Sequence, residues 1–343
     1  MNSLLSNLSY RVAGRRSHYS RGILLLGICL LSQACSTIPS HPAVKILDGE
    51  FSAELAEAHL VRLAELGPRR FGAEAAARAQ AYLEREMELA GAESTWLGTS
   101  REGDPRHLLA TFPGDSEDIV MLVAPWSLLG DDRWADDAGA ALLLALAPTL
   151  ASGPAAYTRQ LLLVEVRSPP EESGNAKKSM DSVVWESIES RTHARERVRI
   201  GAEDAIRRLE EVGKLDRLRI AIVLEPRTGP AVPRMARDLR SQPIFRSLFW
   251  ETAADLGFGE VFPSDGEWRS PSGIQAALQA AGYGQVVSLV EESAPVDVAV
   301  AAAASGVMQG AQSKSGLGPI GLVTYEALVR LMERFERIDA FGK

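Results

Sequence analysis

Apolar positions recur every three to four residues in "AELAEAHLVRLAELG", behind Ser52 and closed by Gly67, which predicts a capped amphipathic helix. A second helix, rich in Ala and Glu, is predicted over 72–90 and ended by Gly91. The pattern then changes to short apolar runs: "HLLATF" (107–112), "DIVMLVA" (118–124), "QLLLVEV" (160–166), "LRIAIVLE" (218–225) and "QVVSLVE" (285–291). Most are continuously apolar, as expected of strands covered on both faces. Between them, "AGAALLLALAPTL" is apolar on most sides and predicts a deeply buried helix. "IFRSLFWETAADLG", "SGIQAALQAAG" and the closing "YEALVRLMERFERI" read as further helices. The charged stretch 177–214 reads as helical segments on the rim. Strands alternating with helices predict an α/β fold, with a mixed, mostly parallel sheet and helices on both faces. No linker interrupts residues 51–343, so a single domain is expected there.

Residues 1–34 have a different composition. They hold Arg11, Arg15, Arg16 and Arg21, no acid, and then an apolar run too short to span a bilayer, with Ala34 before Cys35. The pattern predicts a signal peptide, and residues 35–50, rich in Ser and Pro, a tether. Both cysteines, Cys29 and Cys35, lie in this part of the chain, so cleavage before Cys35 leaves one thiol and no internal disulfide. The arrangement resembles a bacterial lipoprotein. That resemblance implies lipidation of Cys35, a membrane partner through the lipid, and a place in the cell envelope, with Ser36 suiting the outer membrane.

Charge narrows the partners. The whole chain carries −8, and without the four arginines of residues 1–34 the balance falls to about −12. An acidic surface of that kind argues against nucleic acid, whose phosphates need a basic one.

In open α/β sheets ligands sit beyond the carboxyl ends of the strands. Carboxylates gather there in this sequence. Asp136 and Asp137 precede the buried helix, Glu171 and Glu172 follow "QLLLVEV", and Glu225 ends "LRIAIVLE". An aspartate pair at a helix start either caps the helix or holds a cation. The sequence has no G-x-S-x-G elbow and no Walker loop.

This order of motifs resembles the co-catalytic zinc aminopeptidase family, which also includes glutaminyl cyclases. "HLVRLAELGPRRFGAEAAARAQAYLEREMELAGAE" is similar to its N-terminal helices, "WADDAGAALLLALA" to its metal-bridging aspartate and buried helix, "EESG" to its paired glutamates, and "IAIVLEP" to its last acidic strand. The resemblance implies Asp136 as a bridge between two metal ions and Glu172 and Glu225 as ligands. It implies Glu171 as the general base that takes a proton from a metal-activated water.

The family also places a histidine after the strand that here ends "VAPWS", and Pro125 stands in its place. A second family histidine lies about a dozen residues before the final helix. Counting back from "TYEAL" puts Lys314 there. The remaining oxygen ligands suit magnesium or calcium better than zinc. The expectation is therefore a degenerate site that is empty of zinc, with Lys314 replacing a cation. The chain is expected to act in binding or as a scaffold, with a peptide or protein as ligand. The alternative is an active hydrolase or glutaminyl cyclase-like enzyme holding zinc or another divalent cation.

Overall fold

The computed structural model describes residues 50–341, apart from 68, 70–73, 99–104, 129–136, 154–155, 168–197, 227–232, 271–272 and 293–315. Asp136, Glu171, Glu172, Lys314, Cys35, the signal segment, most of the tether and residues 177–197 of the charged stretch lie outside the described residues.

Helices α1 (Ala53–Glu65) and α2 (Glu74–Leu89) lead into β1 (Glu93–Leu97), β2 (His107–Phe112) and β3 (Ser116–Leu128). Helix α3 (Ala138–Ser152), β4 (Tyr157–Arg167) and helix α4 over 198–211 follow. A short 3-10 turn then leads to β5 (Leu218–Glu225) and β6 (Met235–Asp238). The chain ends with α5 (Pro243–Asp255), β7 (Trp268–Arg269), α6 (Gly273–Ala280), β8 (Val286–Glu291) and α7 (Leu317–Phe341).

The strands form one eight-stranded sheet in the order β1-β2-β4-β3-β5-β8-β6-β7. The centre, β4-β3-β5-β8, is parallel, and antiparallel pairings join β2 to β4 and β6 to β8. The mixed, mostly parallel sheet expected from the sequence is thus present. Period-two alternation divides the side chains between two cores. Val120, Leu122, Ala124, Leu161, Leu163, Ile220, Ile222 and Leu224 face α1, α2, α3, α5 and α7. Met121, Val123, Leu162, Val164, Ala221 and Val223 face α4 and α6.

Three short strands escaped the sequence pattern. β1 is only half-buried, while β6 and β7 are four and two residues long. Helix α7 also starts earlier than the periodicity suggests, at Leu317, with Pro319 in its first turn. The first-turn N–H groups have no intrahelical acceptor, so a proline there costs no hydrogen bond.

Helix α3 is buried almost from end to end. A Cβ added at Gly139 would stand 2.5 Å from the Leu224 carbonyl oxygen and 3.0 Å from the Ala124 Cβ, so the first turn rests directly on β5 and β3. At the other end, the Thr149 hydroxyl donates to the Glu50 carbonyl at 3.2 Å and ties down the entry of the chain. Gly139→Ala is expected to lower stability by about 1–3 kcal/mol through overpacking against backbone, read as a lower urea midpoint with an unchanged slope.

Candidate functional site

The parallel strands β3, β4, β5 and β8 present their carboxyl ends along one edge, and the close seat of Gly139 brings the start of α3 to the same place. Glu225 closes β5, half-buried, with one carboxylate oxygen inside the protein. Its ladder partner on β8 is Val290, and Glu291 ends β8 beside it. Pro125 lies within β3 opposite Val164, and Trp126 lies opposite Glu165.

Asp137 occupies the N-cap position of α3 without capping it. Its side chain makes no cap hydrogen bond; instead one carboxylate oxygen accepts from the Arg69 guanidinium in a buried ion pair. The expectation that Asp137 serves the helix turn is corrected here. Its negative charge still lies at the positive end of the α3 dipole, but its hydrogen bond reaches across to the segment between α1 and α2. Arg69 also donates to the Leu63 carbonyl at 3.4 Å, which links that segment back to α1.

A second acidic residue on this edge went unnoticed in the sequence. Glu165 is fully buried inside β4, and its Oε2 accepts the Arg106 backbone N–H at 3.1 Å. The signal was present, since a glutamate interrupts the apolar run "LLLVEV". Around it, the Arg106 guanidinium stands 5.0 Å over the Trp96 ring, and Trp96 meets Trp126 edge to face at 6.3 Å. Trp126 is buried, and its indole N–H has no hydrogen-bond partner among the described residues. The edge therefore combines carboxylates with an aromatic wall.

Both described histidines are engaged by other groups. His59 Nδ1 lies 2.6 Å from the Tyr82 hydroxyl and joins α1 to α2. His107, at the start of β2, accepts the Glu165 backbone N–H on Nδ1 at 3.0 Å, which leaves the ring proton on Nε2. That proton is directed at Asp204 on α4, 3.1 Å away. Burial pushes the Asp204 carboxyl up. Hydrogen bonds from His107, Arg208 and Arg207 outweigh it and hold the group well below the usual carboxylate range.

Lys314 was placed by counting back from a helix start at "TYEAL". Helix α7 begins at Leu317, seven residues before that motif, and Lys314 itself lies outside the described residues. Among the described residues no group of three His, Cys, Asp or Glu stands together.

Neither a protein-family description nor a curated protein matches this sequence. Solved structures do match the fold. A Zn-dependent exopeptidase from Parabacteroides distasonis has a TM-score of 0.60 at 16% identity, covering 82% of this chain and 98% of that one. A leucine aminopeptidase precursor from Bacteroides thetaiotaomicron has a TM-score of 0.59 at 13% identity, covering 83% and 99%. A glutaminyl cyclase from Porphyromonas gingivalis has a TM-score of 0.61 at 16% identity, covering 83% and 100%. The fold of this chain is that of zinc-dependent exopeptidases and glutaminyl cyclases. Beside the carboxylates of this edge, the described imidazole that comes near is His107, which is engaged by the Glu165 amide and Asp204.

Two predictions follow from these contacts. Arg69→Met or Asp137→Asn alone strands the buried partner and should cost about 3–5 kcal/mol, whereas the double variant should recover much of that loss in a urea double-mutant cycle. A carboxylate whose folded pKa is depressed contributes fully above its unfolded pKa of about 3.9 and loses that contribution as pH falls through the folded value. Stability should therefore fall with acidification below about pH 4, and Asp204→Asn should flatten that slope in urea titrations across the acid range.

Proposed function

We propose that this chain is an exported, lipid-anchored protein whose aminopeptidase-type fold no longer runs two-zinc chemistry and instead holds a peptide or protein ligand at the carboxyl edge of its sheet. The observation that carries this reading is Pro125. It lies half-buried in β3, opposite Val164 of β4 at the start of the site edge, where the family that the sequence resembles places a histidine. Proline has no ligating atom, and the two described histidines are engaged elsewhere by Tyr82, by Asp204 and by a backbone amide. Carboxylates without imidazole do not fit zinc, which is held mostly by nitrogen and sulfur.

What the edge retains suits binding. Trp96, half-buried, supplies an apolar surface backed by the buried Trp126, and Glu225 supplies a negative charge. Amine-bearing peptide ends match a pocket of that chemistry. The charge-poor apolar run before Cys35 supports export and anchoring.

Elemental analysis of the purified chain should find no stoichiometric zinc, and neither an aminoacyl p-nitroanilide nor an N-terminal glutaminyl peptide should turn over. Bound zinc at one per chain, with release of nitroaniline or cyclised product, overturns the reading in favour of an active enzyme with a rearranged site. Anchoring is tested separately. Cys35→Ser should abolish incorporation of labelled palmitate and move the chain from the membrane to the soluble fraction.

A further inference from the structure

Away from the carboxyl edge, the far end of the sheet carries a surface of opposite character to the acidic chain. Trp268 on β7 is 48% exposed, and the guanidinium groups of Arg237 and Arg246 stand over its ring at 5.6 and 4.7 Å. Leu239 and Ile244 beside it are 61% and 64% exposed, and Arg240 is exposed as well. Among the described residues, Arg237, Arg240 and Arg246 make no ion pair with a carboxylate. Arg246 instead donates to the Asp238 carbonyl at 2.6 Å and the Ser241 carbonyl at 3.5 Å.

The surface is held in shape from beneath. The Asp238 side chain is buried and accepts the backbone N–H groups of Arg240 and Ser241, which fixes the turn that turns Leu239 and Arg240 outward. Ser241 in turn accepts the Ser288 N–H at 3.0 Å and ties the turn to β8. Burial presses the Arg246 guanidinium below its usual range, and the neighbouring Arg237 charge adds to this, as expected of two cations kept close together. A cluster of tryptophan, arginine and exposed aliphatic side chains has the composition of a binding hot spot.

The occupant can be narrowed further. The β6-β7 ladder uses the Glu267 and Arg269 carbonyls, which accept from Arg237 and Leu239 at 2.8 and 3.0 Å. Its alternation turns the N–H and C=O of Trp268 away from β6, to the side on which no further strand pairs among the described residues. These are backbone groups that a peptide can pair with and a lipid headgroup cannot. We propose that the Arg237, Arg240, Arg246 and Trp268 surface binds an extended acidic peptide segment of a partner protein, its carboxylates on the guanidinium groups and its apolar side chains against Trp268, Leu239 and Ile244.

The test is fluorescence anisotropy of the full chain with the labelled hexapeptide acetyl-Glu-Val-Glu-Val-Glu-Val-amide. Acetyl-Lys-Val-Lys-Val-Lys-Val-amide and phosphatidylglycerol vesicles serve as the other arms. The acidic peptide should bind saturably, and Arg240→Glu and Arg237→Ala should each weaken it roughly tenfold. Arg240 holds the turn through its backbone while its side chain is exposed, so its variant reads binding, and an unchanged urea midpoint confirms that the turn is kept. Equal binding of both peptides, unchanged affinity in both variants, or capture of vesicles without the acidic peptide each overturns the proposal.

Discussion

A buried ion pair between Arg69 and Asp137 carries the arrangement on which the rest of the site edge depends. It joins the segment after α1 to the first residue of the most deeply buried helix, and that helix in turn rests on β3 and β5 through Gly139. Two charges withdrawn from water are stable only while each has the other. The pair therefore acts less as a source of net stability than as a specification, since any displacement of α3 would leave a charge uncompensated. The carboxyl ends of four parallel strands are registered against that fixed point.

The same pair changes how the acidic edge is understood. Of the two aspartates at the start of α3, Asp137 is directed inward to a guanidinium. Pro125 brings no ligating atom to β3, and His107 is held by an amide on one nitrogen and an aspartate on the other. Each of these contacts is local and ordinary. Together they describe the carboxyl edge of a sheet whose fold is shared with Zn-dependent exopeptidases.

Much of the fold was legible because burial on both faces writes itself as uninterrupted apolar runs. β3, β4, β5 and β8 were read at nearly their true positions for that reason. β1, β6 and β7 were missed because they are short, half-exposed or at the sheet margin, where side chains answer to solvent rather than to a core. The early start of α7 was hidden by "GLGP", whose glycines and proline look like a loop until a first turn tolerates them. Long-range partners were not legible at all: nothing local to Asp137 announces Arg69, and nothing near His107 announces Asp204. The site was legible in part, with Glu225 placed at a strand end as its neighbours implied and Glu165 overlooked within a strand.

The bond between Thr149 and Glu50 has a mechanical consequence. Helix α3 begins at the carboxylate edge and runs about 22 Å to its end, at 1.5 Å per residue. The chain enters the domain beside that far end. A pull on the chain at Glu50 is therefore taken up first at the far end of α3, through the Thr149 hydroxyl, and reaches the carboxylate edge only along the length of the helix.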